Sequence, residues 1–294
     1  MSKGELDSEE RERDFNEFLV EEYLKHGSVD EVLRIHRYDI PISYAGYQRV
    51  LDRWGIVKAA GPNSKLTEVI NFLTRMIEEE IPLEKLYKKM PSSFRVSTAT
   101  LYRILSYIRE GITRRVGTGL VITSNGDRKR ILVGKDISTP RLDLGKPYGS
   151  ISIPMGFSRK RDPRKDAILR VLQQEVFTKL AVKNNMPNVV PDRPKPFMYL
   201  DIADVRVEIF RIELPSKLFS LRYFSSFKLR DYEYLPLGEI IAGDGARVNL
   251  RVGVKEVAMG YQKYLGISDR NLAVNPLFFK SELNYQLAET SSGY

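Results

Sequence analysis

Up to about residue 112 the apolar positions recur at three- and four-residue spacing, which is the signature of helices. In SEERERDFNEFLVEEYLKHG, Phe15, Phe18, Leu19, Tyr23 and Leu24 share one helical face, and Gly27 supplies a good C-terminal cap. Ser28 and Glu31 have the spacing of a capping box, so a second helix starts there and runs to about Arg37. It breaks in YDIPIS, because Pro41 lacks an amide donor and disfavours helix at Ile40. Ser43 then caps a third helix that closes near Gly55. A fourth runs from about Ser64 to Glu80, with Leu66, Val69, Ile70, Leu73 and Ile77 on its apolar face. Pro82 opens a fifth, Pro91 closes it, and Ser97 caps a sixth that reaches Gly111.

After Arg115 the pattern changes to short apolar runs. Leu120 to Ile122 and Ile131 to Val133 flank Asn125-Gly126, the favoured two-residue hairpin turn. This hairpin is either a DNA-binding wing carrying Arg128, Lys129 and Arg130, or the first hairpin of a strand-rich domain. SISIPM, VRVEIFRIEL and SLRYFSSFKL are further strand candidates, with helices at about 163–182 and 250–265. The fold class is therefore α+β, an all-helical first part followed by a mixed second part.

The helical part contains a repeat. SYAGYQRVL from Ser43 and STATLYRIL from Ser97 share Ser, Ala, Arg, a β-branched residue and Leu in register, and a short amphipathic helix and a turn precede each copy. That order is a helix-turn-helix arrangement, and its duplication predicts two DNA-reading helices. The candidate DNA contacts are Ser43, Tyr44, Tyr47, Gln48 and Arg49 in the first copy, and Ser97, Thr98, Thr100, Tyr102 and Arg103 in the second. A helical protein-interaction domain is the alternative, because many helical bundles carry the same pattern.

Charge sharpens the picture. The chain has a net charge of +9, yet residues 1–30 hold 4 basic and 10 acidic groups while residues 111–170 hold 14 and 5. The middle of the chain is thus the part that would attract a polyanion or a phosphorylated ligand. With no cysteine, disulfides, thiol catalysis and cysteine-bound metals are excluded. The two histidines, His26 and His36, lie on opposite sides of the break at Gly27 and make a poor metal pair. No apolar run is long enough to span a bilayer and the acidic start is unlike a secretory signal, so a soluble, cytoplasmic protein is expected, nucleoid-associated if bacterial or archaeal.

The stretch PMGFSRKRDPRKDAILRVLQQEVF resembles the signature box of the Nudix hydrolases. Gly156 matches its first glycine, Asp162 stands at its first glutamate, and Arg170 and Leu172 match its arginine and aliphatic positions. The resemblance extends over residues 113–285 and implies a Nudix-like α/β/α domain. It also implies three clustered carboxylates that hold magnesium against a diphosphate, at positions that here are Val171, Gln174 and Glu175. One of the three remains, Phe177 replaces the closing glycine, and Asp162 reads as a helix N-cap ahead of Pro163. Meanwhile the loop before the helix has become basic, with Arg159, Lys160, Arg161, Arg164 and Lys165.

These readings predict an acidic helix over 1–27, a tandem helix-turn-helix domain over 28–112, a Nudix-like domain over 113–285 and a tail over 286–294. They point to a DNA-binding transcriptional regulator whose Nudix-like domain senses a nucleotide-derived ligand or mediates assembly, with a homodimer among the expected assemblies. Gly156, Arg159, Lys160, Arg161, Arg170 and Glu175 are the candidate ligand contacts, with no catalytic or metal residue assigned. No cofactor is required on this reading, and Mg2+ enters only if the residual site is active. A Nudix-type pyrophosphatase with a helical accessory domain and a protein-interaction scaffold are the rival readings.

Overall fold

The computed structural model describes residues 3–57, 97–111, 115–124, 126–141, 144–159, 161–243, 249–269 and 275–289. The helices expected at 64–80 and from Pro82 to Pro91, together with Asn125 and Lys160, lie outside the described residues, as does the side chain of Thr98.

The first elements follow the pattern closely. Helix α1 (Lys3–His26) ends at Gly27, whose φ of +81° suits glycine. The Ser28 side chain accepts from the Glu31 amide at the head of α2 (Val29–Ile35), and Ser43 accepts from the Gly46 amide at the head of α3 (Tyr44–Arg53). These helices close on Leu19, Val20, Leu24, Val32, Tyr47 and Leu51, which are all but inaccessible. Each such side chain contributes roughly 1.5–3 kcal/mol by burial. The same cluster takes in Ala181 and Val182, so the N-terminal helices rest on the second part of the chain.

The second copy of the repeat is used differently. Helix α4 (Thr98–Glu110) buries Leu101 and Leu105 in the core of the strand-rich part, beside Val121, Met198 and Val207, and packs on α9 (Glu282–Glu289). The two repeated segments therefore start alike, with Ser43 and Ser97 each capping a first turn, but pack into separate cores.

Two sheets form the second part. One has the order β4-β1-β6-β5-β8, built from Met155–Ser158, Arg115–Ser124, Val205–Leu214, Met198–Ile202 and Leu277–Lys280. The other has the order β3-β2-β7, from Ile151–Ser152, Arg130–Asp136 and Leu229–Pro236. Asn125-Gly126 thus does not close a paired hairpin. β1 pairs with β4 and β6, β2 pairs with β3 and β7, and one Ser124–Asp127 bridge marks the crossing between sheets. The wing reading falls with it, because Arg128 meets Asp269 and the Arg130 guanidinium donates to the Tyr234 carbonyl.

Alternation along β6 sorts the core. Val205, Val207 and Ile209 face α8 (Val254–Ser268), whereas Phe210, Ile212 and Leu214 join the cluster around α5 (Arg164–Glu175). With helices on both faces of the larger sheet, this part is an α/β/α arrangement.

Other expectations change in detail. The helix expected over 163–182 is two, α5 and α6 (Thr178–Val182), because Phe177 turns into the core and the Thr178 amide bonds the Ser225 carbonyl. SLRYFSSFKL is not a strand; the Ser226 hydroxyl donates to the Gln174 carbonyl at the end of α5, the Ser225 hydroxyl accepts from the Lys179 amide in the first turn of α6, and the strand starts only at Leu229. A short helix α7 (Leu237–Ala242) follows β7.

Candidate anion-binding cavity

Helix α5 places the box residues. It starts at Arg164 behind Pro163, whose fixed φ favours a helix start, and no side chain caps it. Asp162 is therefore not the expected N-cap. Its Oδ2 accepts from the Arg159 amide and from the Arg170 guanidinium, forming an ion pair whose arginine side chain is only 5% exposed. That pair ties the loop before the helix to the middle of α5.

One turn on, Val171, Gln174 and Glu175 come to one side of the helix by their i, i+3, i+4 spacing, and all three are buried. Val171 packs in hydrocarbon with Leu120 and Phe210. Gln174 Oε1 accepts from Lys228 Nζ at 2.7 Å. Glu175 Oε2 accepts from the Met155 amide at 2.7 Å, and burial pushes its carboxyl above the ordinary range against the opposing pull of Lys228, the Met155 amide and Arg251.

Gln174 and Glu175 open onto a cavity of about 180 Å³. Its described lining contains five basic side chains, Arg141, Lys146, Arg170, Lys228 and Arg251, and one carboxylate, Glu175. Lys146 and Arg251 are held on one wall by Asp136, at 3.4 and 3.7 Å. Lys146 also donates to Ser138 Oγ, and burial followed by the nearby Arg251 lowers its pKa. The Arg141 guanidinium lies 5.8 Å from the centre of the Phe157 ring, so the lining includes an aromatic face.

The carboxylate set does not fit a magnesium ion. A hard dication needs several anionic oxygens. Here one ligand position is hydrocarbon, the second is a neutral amide already engaged by an ammonium, and the third is a lone buried carboxylate turned to a backbone amide. Among the described residues no cluster of three or more histidine, aspartate or glutamate side chains is suited to hold a metal.

Of the sequence-derived ligand contacts, Gly156, Arg170 and Glu175 line the cavity. Arg159 and Arg161 are exposed and outside its lining, and Arg164 and Lys165 are engaged by Glu208 and Asp192. The loop cations are thus replaced by Arg141, Lys146, Lys228 and Arg251, which come from distant segments and carry no local motif. Asp231 lies on exposed β7 against Lys135, and neither it nor Glu233 lines the cavity.

The DNA candidates divide by exposure. On α3, Ser43, Tyr44 and Arg49 are exposed and Gln48 is half-buried. Tyr47 is fully buried with its hydroxyl donating to the Leu19 carbonyl, which removes it from any outer surface. On α4, Ser97 and Arg103 are exposed and Thr100 is half-buried, bonded to Ser97. Tyr102 packs against the sheet core.

No family model matches the chain, and no curated protein sequence matches it. Among solved structures, a Nudix hydrolase from Nitrosomonas europaea is similar at 14% identity and a TM-score of 0.36, covering 57% of this chain and 78% of that one. An ADP-ribose pyrophosphatase from Streptococcus suis gives 14% and 0.37, covering 57% and 99%. NrtR of Shewanella oneidensis gives 12% and 0.35, covering 52% and 64%. At these levels they say nothing of activity.

Proposed function

We propose that this protein is a DNA-binding transcriptional regulator whose Nudix-like domain holds a nucleotide-derived anion without hydrolysing it. The observation that carries the reading is the cavity on α5, with five basic side chains and a single buried carboxylate in its described lining. Such a lining suits a phosphorylated ligand and lacks the clustered anionic oxygens that diphosphate hydrolysis through a metal requires.

The position of α5 supports a sensory role. Gln173, next to the cavity residues Gln174 and Glu175, donates to the Gly55 carbonyl at 2.7 Å and accepts from the Val57 amide at 3.0 Å. One helix therefore touches both the ligand cavity and the chain leaving α3. A ligand that favours one placement of α5 would in that way alter the presentation of α3. Duplex DNA is the partner proposed for the exposed Ser43, Tyr44 and Arg49 with half-buried Gln48, and for Ser97, Thr100 and Arg103.

The test is selection of duplex DNA by the full chain in gel-shift assays, with and without nucleotide sugars and dinucleotides, followed by the Arg49→Ala, Arg103→Ala double variant. Weaker binding with a salt slope lower by about one unit per lost phosphate contact supports the reading. Unchanged affinity and slope in a folded double variant overturns it. Robust magnesium-dependent release of phosphate products, abolished by Glu175→Gln, establishes the enzyme reading instead.

A further inference from the structure

The misfit between the cavity and a metal has a positive side. We propose that the Lys228 ammonium takes the electrostatic place of the missing dication, making the cavity a metal-independent site for a phosphate or diphosphate group. The proposal rests on the ligand-binding reading above and goes further by naming the recognised group and how its charge is met.

Lys228 is positioned from both ends. Ser226 Oγ donates to the Gln174 carbonyl at 2.7 Å and accepts from the Lys228 amide at 2.8 Å, so the main chain is stitched to the end of α5. The side chain returns to the same residue, with Nζ donating to Gln174 Oε1 at 2.7 Å. Tyr232, on the strand that Lys228 leads into, donates from its hydroxyl to the Glu175 carbonyl at 2.7 Å and fixes the next residue of the helix. The ammonium is thus held at the end of α5 by the same residue that occupies a ligand position in the resemblance.

An ammonium has three donors, and Gln174 takes one. The others are suited to phosphate oxygens, with Arg251, Lys146 and Arg170 in the same lining to share a spread negative charge. A dication entering beside Gln174 would be repelled by this fixed positive charge, whereas a phosphate would be attracted to it. Replacing a carboxylate by Gln174 and placing Lys228 on it are complementary changes, because they leave Glu175 as the one carboxylate of the described lining that opposes the ammonium, where a second would neutralise it further and recruit an anion less well.

Calorimetric titration of inorganic pyrophosphate into the full-length protein tests this, in EDTA and in magnesium, with Lys228→Met, Lys228→Gln and Lys228→Arg. The expected result is saturable binding in EDTA at least as tight as in magnesium. Losing a charge-assisted bond should weaken it by about tenfold or more in Lys228→Met and Lys228→Gln, while Lys228→Arg stays within a few-fold of the parent. Lys228→Gln is the neutral variant that can still bond Gln174, so it decides the matter if the methionine variant does not fold.

Binding that requires magnesium, or that is unchanged in the folded neutral variants, overturns the proposal. Magnesium-dependent binding would leave the ligand-sensing reading standing without its metal-free mechanism. Absence of binding by pyrophosphate and by every nucleotide in both buffers would remove both.

Discussion

Gln173→Ala is the substitution that most directly probes how the two parts of the molecule are joined. Gln173 is 1% exposed, and its amide spans the Gly55 carbonyl at 2.7 Å and the Val57 amide at 3.0 Å. Truncation removes both bonds. Each is worth about 1 kcal/mol net, and a buried group left without a partner costs about 1–3 kcal/mol. Gly55 is exposed and water can replace its lost donor, so about 2 kcal/mol in total is expected. The sole tryptophan, Trp54, reports on the same junction, since its indole N–H donates to the Val182 carbonyl on α6 at 3.0 Å. Gln173→Ala should lower the denaturant midpoint, shift Trp54 emission to the red at concentrations where the parent is still folded, and speed hydrogen exchange at the Val57 amide. Gln173→Glu should be worse than alanine, because a carboxylate cannot donate and faces the Gly55 carbonyl. Parent-like exchange at Val57 and an unshifted Trp54 signal in Gln173→Ala would refute the reasoning.

Three further outcomes follow. Asp162→Ala removes the carboxylate paired with the Arg170 guanidinium, 5% exposed in its ion pair, and should cost about 2–3 kcal/mol by denaturation; the 17% exposure of Asp162 keeps it below the range for fully buried pairs. Because the Glu175 pKa is raised in the folded state, that state holds its proton more tightly, so stability from this group is present at acid pH and is lost as pH rises from about 4.5 through the folded value. Denaturation followed upward from about pH 4.5 should show this loss in the parent and not in Glu175→Gln. Gly145→Ala forces a side chain onto a backbone with φ +54° and puts Cβ 2.1 Å from Val252 Cγ2, so a loss of about 2–4 kcal/mol in denaturant melts is expected.

How far the sequence could be read depended on the range of each signal. Caps were legible, as at Ser28, Ser43 and Gly27, because a cap is decided by residues three or four apart. The spacing of the box was legible for the same reason, and it placed Gly156, Arg170 and Glu175 in the cavity. Tyr47 was misassigned although its spacing to Val50 and Leu51 puts it on the apolar face of α3. The paired hairpin failed because Asn125-Gly126 speaks only of a turn, whereas the partners of β1 and β2 are set by strands far along the chain. The cavity cations were out of reach for the same reason: Arg141, Lys146, Lys228 and Arg251 meet only once both sheets exist.

The separation of β1 from β2 also bears on how the chain acquires its shape. β5 and β6 pair as near neighbours, Ile202 against Val205, but β1 must wait for β6, with Val116 opposite Arg206. Closing a loop of about 90 residues rather than a few costs roughly 3 kcal/mol more in entropy before any contact repays it. The β5–β6 hairpin is therefore the natural nucleus, and the ion pair between Asp204 in its turn and Arg115 at the start of β1 fixes the register of the first distant strand to arrive. β4 can pair with Val116–Gly119 soon after β1 is made, but during synthesis at about 5–20 residues per second the other edge of β1 stands open for about 5–20 seconds before β6 is complete. Its run Leu120, Val121 and Ile122, buried in the fold, is then an apolar strand still open at that edge, and a net positive charge between it and β6 opposes self-association of the nascent chain.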